Sequence, residues 1–293
     1  MLPVGGRSPL LDGCLAALRR QRAPVDELIV VDDSPEGDIR AIEGARVLSS
    51  RGRGPYAARN LGWRATEAEL VLFLDIRSRP RPDWSQRLTE PFRDGSVAIV
   101  GSEVRVLGGA SLAARACERQ QPFGLRAYLA QPFFRPYLPT CNLAVRRDDL
   151  AAVGGFSVVR SGGDAELCWR IMSRPDRRLQ PVHEVLMEWV PRERLRDYLE
   201  QNYRYGKSNL ELRRTWKGAG APQVEPMARA VLARRIVKLG LRAGVSVTRR
   251  RPGALVENVV AGASLAYELG YRVAADTEPP PGGGGDARAA ASA

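Results

Sequence analysis

The chain has 293 residues, 44% of them hydrophobic and 27% charged, with a formal net charge of +12. That is the balance of a soluble globular protein with room for one large domain, or for one domain and an appendage. The cysteines Cys14, Cys117, Cys141 and Cys168 are widely spaced with no Cys-x-x-Cys, and His183 is the one histidine. Neither a zinc site nor a disulfide framework is indicated, and a multi-histidine metal centre is excluded.

In chain order, Met1–Val4 reads as a strand end and Leu10–Gln21 as a helix, with Leu11, Cys14, Leu15 and Leu18 at helical spacing. Leu28–Val31 is a short buried strand delivering Asp32 and Asp33, and Arg46–Leu48 is a weaker one. Pro55–Thr66 is predicted helical, followed by the apolar strand Leu70–Leu74, which ends on Asp75. A helix over Asp83–Phe92 and a strand over Val97–Gly101 come next. Residues 108–138 carry Pro122, Pro132 and Pro136, with Pro139 just beyond, and are expected to be rich in loops. Leu143–Val145 is a strand, and helices are predicted over Arg147–Val153, Asp164–Ser173, Arg192–Arg214, 226–248 and 254–274. Beyond Thr277 the run of Pro, Gly, Ala and Ser has the composition of a disordered tail. Strands alternating with helices over short loops predict an α/β fold with a doubly wound, mostly parallel sheet and a C-terminal helical extension. The domain reading is 1–210 catalytic, 211–275 helical extension and 276–293 disordered tail.

In open α/β sheets ligands bind at the C-terminal ends of the strands. Asp32, Asp33 and Asp75 are therefore candidates for contact with a nucleoside and its phosphates, although an acid after a strand also caps turns. Arg59, in Ala58-Arg-Asn-Leu-Gly62, can pair with a phosphate or with one of those acids. Asp164 stands at a predicted helix start, where a carboxylate serves as an N-cap, as a general base, or as both.

Four ordered segments, Leu28-Ile-Val-Val-Asp-Asp-Ser34, Ala58-Arg-Asn-Leu-Gly62, Phe73-Leu-Asp75 and Gly162-Gly-Asp-Ala-Glu-Leu-Cys-Trp-Arg170, together resemble the family 2 glycosyltransferases of the GT-A (Rossmann-like) fold. Pro139-Thr-Cys-Asn-Leu-Ala-Val-Arg-Arg147 and Val153-Gly-Gly-Phe156 match the family's run into the last motif, and the resemblance covers about residues 1–210. It implies an inverting transfer from a UDP-, GDP- or dTDP-sugar to a hydroxyl acceptor on a glycan, lipid carrier or natural product. It implies donor contacts at Pro3, Asp32, Asp33, Arg59, Asp75, Arg77 and Asn142, a Mn²⁺ or Mg²⁺ ligand at Asp75, and Asp164 as the base. The sequence departs from the family pattern at three places. Arg77 stands where Asp-x-Asp has its second acid, Gly163 where a Glu-Asp pair has its first, and Glu188-Trp-Val-Pro-Arg192 lacks the histidine often found there. These departures keep a metal-independent enzyme, or a catalytically inactive nucleotide-sugar binding or scaffold protein, as the alternative. A sugar-phosphate nucleotidyltransferase is not expected, since the Gly-rich start at Gly5-Gly6-Arg7 is too short and no activating lysine follows it.

The positive charge is nearly all arginine, with Lys only at 207, 217 and 238. Two sources fit: anionic partners, and the Arg-, Ala- and Gly-rich usage of a GC-rich genome. The cations are scattered and no nucleic-acid-binding motif occurs, so a nucleic-acid partner is not expected. No signal peptide or spanning segment is visible, so the expected location is cytoplasmic. Residues 228–251 combine cations with a helical apolar pattern that can rest on the inner face of a membrane as a peripheral contact.

Overall fold

The computed structural model describes residues 1–130 and 134–277; nearly all of the expected low-complexity tail, and part of the 108–138 segment, lie outside the described residues. The chain divides into two compact units, Met1–Arg105 with Phe123–Val190, and Val106–Pro122 with the chain from Pro191 onward. The sequence division at 210 falls inside a helix that groups with the second unit.

In the first unit β1 (Leu2–Val4), β2 (Ile29–Asp32) and β3 (Arg46–Ser49) pair in parallel, in the order β1-β2-β3. A five-stranded set runs β4 (Leu70–Leu74), β7 (Asn142–Arg146), β6 (Val97–Val106), β8 (Arg178–Trp189), β5 (Ser78–Pro80). Here β7 is antiparallel to both β4 and β6, and β5 is antiparallel to β8. Met1 links the two sets: its amine donates to the Leu72 carbonyl at 2.7 Å, and its carbonyl accepts from the Leu74 N–H at 3.3 Å. One residue bonded to both flanks of its neighbour is the pattern of a parallel pair. The ends of β1, β2 and β4 therefore open on one rim, where 32, 33 and 75 lie.

Helices α1 (Pro9–Arg19) and α2 (Pro55–Arg64) both begin on proline, whose fixed φ suits a first helical position. α1 buries Leu11, Cys14, Leu15 and Leu18, the face its spacing predicted. α3 (Trp84–Thr89) continues into a single 3-10 turn, Glu90–Arg93. α5 (Leu125–Leu129), α6 (Arg147–Ala152) and α7 (Gly163–Met172) complete the unit. The core gathers Val31, Phe73, Ile99, Leu143, Leu167 and Ile171 around Phe156, whose ring meets Phe73 edge-on at 5.2 Å. Each such buried side chain contributes roughly 1.5–3 kcal/mol.

The second unit holds α4 (Leu112–Gln120), α8 (Leu195–Thr215), α9 (Arg229–Thr248) and α10 (Pro252–Asp276). α4 lies in the segment expected to be loop; Ser111 caps it by accepting the Ala114 N–H at 3.0 Å, and Ala113, Ala114, Ala116 and Cys117 are buried. α8 and α10 cross backbone to backbone. A Cβ at Gly206 would meet the Tyr267 carbonyl oxygen at 1.9 Å, and one at Gly270 would meet that of Tyr203 at 1.9 Å. Gly206→Ala must therefore part the two helices. We expect a loss of about 3 kcal/mol, at the upper end for overpacking, read as a lowered denaturant midpoint in the full chain. An unchanged midpoint would show that the crossing is looser than described.

Candidate active site

Each predicted residue can be followed from its strand or helix. Asp32 ends β2 and is fully buried. Its carboxylate accepts the backbone N–H groups of Ser34 at 3.0 Å and Ile39 at 2.8 Å, which folds the loop after the strand. Asp33 is half-buried, and its Oδ1 accepts from Ser50 Oγ at 2.7 Å and from the Gly54 N–H at 3.1 Å. Asp32 thus shapes the loop after β2, while Asp33 lies at the rim. Arg51 and Arg53 follow Ser50, and with Ser49 and Arg64 they border a cavity of about 530 Å³.

Asn142 lies in the core. It is 1% exposed, its Nδ2 donates to the Ser102 carbonyl at 2.9 Å, and its Oδ1 accepts from Trp84 Nε1 at 2.8 Å. The residue ties β7 to β6 and α3, and its amide is spent on the core. Pro3 is buried in β1 opposite Val31 and has no polar side-chain group to present.

Three of the remaining candidates, Asp75, Arg59 and Asp164, come together. Asp75 follows β4, and one carboxylate oxygen accepts from Arg59 Nη2 at 2.6 Å. The Arg59 side chain is 5% exposed and that of Asp75 35%. The Arg59 guanidinium lies 5.4 Å from the centre of the Tyr56 ring, one helical turn back along α2. The Tyr56 hydroxyl in turn lies 3.4 Å from Asp164 Oδ1, a long hydrogen bond. Carboxylates 89 residues apart in the chain are thus joined through one arginine and one tyrosine.

Asp164 stands in the first turn of α7, where acids are favoured by the helix dipole, and its Oδ1 accepts the Ala165 N–H at 3.1 Å. Burial pushes its carboxyl pKa above the usual range, against the pull of the Arg59 charge and of backbone hydrogen bonds. The missing first acid has a steric reason. A Cβ at Gly163 would meet Tyr56 ring atoms at 2.9–3.0 Å, so the tyrosine occupies the space a side chain there would need. Glu166 and Arg170, next on α7, pair with each other, and Arg170 also donates to the carbonyls of Val153 and Gly155.

Arg77 lies in the tight turn between β4 and β5. Its Nη1 donates to the Val190 carbonyl at 3.1 Å, and its guanidinium lies over Trp189 at 5.6 Å. The position that carries a second acid in Asp-x-Asp is thus a cation held by the end of β8. Glu188, beside it, pairs with Arg105 at 2.5 Å. Among the described residues no three His, Cys, Asp or Glu side chains gather in a way that could hold a metal ion.

Two further residues bear on the site. Tyr56 gives no signal in sequence beyond its place one turn before Arg59. Asn60 lies within the quoted Ala58–Gly62 segment. Its Nδ2 donates to the Phe156 carbonyl at 2.7 Å, and its Oδ1 accepts the Phe156 N–H at 2.8 Å and Trp63 Nε1 at 3.0 Å.

A parallel-sheet rim with acids at two strand ends and a third at a helix start fits the GT-A type of α/β fold. The chain matches the profile of Glycosyl transferase family 2 over residues 1–154 and belongs to that family. It is 30% identical over 225 residues to the pre-mycofactocin glycosyltransferase of Mycobacterium tuberculosis, spanning 72% of this chain and 46% of that one. The chain thus spans about half the length of that relative. It is 27% identical over 229 residues to glycosyltransferase AglE of Haloferax volcanii, with 72% of each covered. In fold it is similar to the mannosyltransferase PcManGT of Pyrobaculum calidifontis, solved with GDP-Man and Mn²⁺ (TM-score 0.59, 17% identity, 94% of this chain and 86% of that one). It is also similar to glucosyl-3-phosphoglycerate synthase of M. tuberculosis, solved with Mn²⁺, UDP-Glc and phosphoglyceric acid (TM-score 0.52, 23% identity, 76% and 79% covered).

Proposed function

We propose that the protein is an inverting glycosyltransferase that moves a sugar from a nucleoside-diphosphate donor, UDP-, GDP- or dTDP-linked, to a hydroxyl acceptor. The observation that carries this reading is the linked set Asp75–Arg59–Tyr56–Asp164. It links a cationic group, through one tyrosine, to a carboxylate of raised basicity, the two kinds of group that displacement of a diphosphate by a hydroxyl requires.

In the proposed reaction the acceptor oxygen attacks the anomeric carbon from the face opposite the diphosphate. Asp164 takes the hydroxyl proton as the new C–O bond forms. The old C–O bond breaks with its electron pair going to the diphosphate. Asp33 receives the nucleoside at the rim. Arg59, its Nε–H buried and its Nη2 bonded to Asp75, sets a positive charge beside the diphosphate. Arg77 supplies a second guanidinium, suited to paired phosphate oxygens.

Mn²⁺ accompanies the donor in both structural relatives named above. The residues here fit such an ion poorly: Asp75 is one carboxylate, already bonded to a guanidinium, and Arg77 repels a dication where a second acid would draw it. The reaction above assigns the charge of the departing diphosphate to the two arginines. A nucleotide-release assay across UDP-, GDP- and dTDP-sugars, run with Mn²⁺, with Mg²⁺ and with chelator, tests both points. We expect turnover with one donor class that falls less than about threefold in chelator. Complete loss in chelator, restored by Mn²⁺, would return the cation's role to a metal at Asp75. Donor binding without turnover under every condition would favour the scaffold alternative that Arg77 raises.

A further inference from the structure

We propose that the outward face of α9 is a docking surface for an anionic lipid bilayer, with the helix lying in the plane of the interface. The inference rests on the second unit alone and stands apart from the reading of the active site.

α9 is packed along one stripe. Leu232, Leu239 and Ser246 recur every seven residues, two helical turns, and this stripe faces α10. Leu232 and Ser246 are buried, Ser246 Oγ accepts from Asn258 Nδ2 at 3.0 Å, and a Cβ on Gly262 would touch Leu239 at 3.6 Å. Away from that stripe Val237, Leu241 and Val245, four residues apart, form a continuous ridge 63%, 69% and 51% exposed. Ile236 and Val247, 49% and 62% exposed, are further apolar side chains off the packed stripe. Apolar side chains that recur on one face mark an interaction surface; scattered ones do not.

The charge beside the ridge identifies the partner. Between Glu225 and Glu257 the chain carries eight cations and no acid. Arg234, Lys238 and Arg242, again four apart, run along the stripe next to the ridge, and Arg249, Arg250 and Arg251 stand at the end of the helix. A second copy of the helix would bring these like charges together at the contact, which is repulsive. Anionic headgroups satisfy both features, since the cations meet phosphates while the ridge enters the boundary of the acyl chains. No helix among the described residues is long and apolar enough to cross a membrane, so the contact lies along the surface.

The test is co-sedimentation of the full chain with phosphatidylcholine vesicles, with and without phosphatidylglycerol. We expect pelleting only with the anionic lipid, and release at high salt as screening shortens. Arg234→Gln, Lys238→Gln and Arg242→Gln combined should weaken partition roughly a hundredfold, at about fivefold per cation. Val237→Ser with Leu241→Ser should weaken it with the charge unchanged. All five side chains are exposed, so the variants should keep the wild-type melting curve. The proposal is overturned if the protein fails to pellet, or pellets equally with neutral vesicles. It is overturned equally if light scattering shows a dimer in solution that the serine variant disperses.

Discussion

Asp164→Asn is expected to lower the transfer rate about 10³-fold, the usual effect of removing a general base, while donor affinity stays within a few-fold of wild type. Asparagine keeps the size and the hydrogen-bonding capacity of the side chain but cannot take a proton. Two accompanying signatures separate this from a structural defect. The wild-type rate should rise with pH on the acid side through a value above the ordinary aspartate pKa of about 3.9, because burial raises that of Asp164. Stability should move the other way. A carboxyl whose folded pKa exceeds its unfolded value binds more protons in the folded state between the two, so stability falls as pH rises through that window and stays reduced above it. Asp164→Asn should therefore melt higher than wild type at neutral pH. Comparable losses of donor binding and transfer, or a lower melting temperature, would remove Asp164 from the base role.

Asn60→Leu is expected to be the most damaging single change near the site. The leucine fills a similar volume but leaves the Phe156 N–H, the Phe156 carbonyl and the Trp63 indole N–H without the partners they have now. Asn60 is 7% exposed, so water replaces little of this. At roughly 1–3 kcal/mol for each buried group left unsatisfied, the loss is about 4 kcal/mol, which in a domain of this size lowers the melting temperature by roughly 10 °C. Asn60→Asp keeps the two accepted bonds but turns a carboxylate oxygen toward the Phe156 carbonyl and buries a charge, so it should be destabilised as well. Gly155 sets the same requirement from the other side: its φ is +80°, and a Cβ there would meet Asn60 Oδ1 at 2.4 Å. Calorimetry on the two variants decides the matter. A leucine variant as stable as wild type would mean that the volume at this position matters and the hydrogen bonds do not.

The strands that are continuous apolar runs were legible in sequence because burial on both faces leaves a plain signal; β4 falls over the residues predicted for it. α1, α2 and α7 were legible for the complementary reason, a one-sided stripe at helical spacing. β8 was not read as a strand. Its first half, with Pro181, His183 and Glu184, is partly exposed and shows neither alternation nor an apolar run, and its strand character comes from its neighbours in the sheet. α4 was hidden by the prolines that follow it, although Ser111 and the small buried residues after it are a readable start signal. In the site, residue types marked where acids and arginines would lie, but sequence could not tell a carboxylate turned to the rim from one bonded to its own loop. Asp32 and Asp33 are adjacent and alike in sequence. Backbone N–H groups from residues 34 and 39 claim one of them, and Ser50 with Gly54 holds the other.

The glycine crossing of α8 and α10 has a bearing on how the second unit can evolve. The helix before α9 and the helix after it are clasped main chain to main chain, so the ends of the intervening segment are pinned whatever side chains it carries. Substitutions on the outer surface of α9 are then freed from any duty to hold the fold. That face can then be given over to its partner, while a side chain at Gly206 or Gly270 would force the two main chains apart.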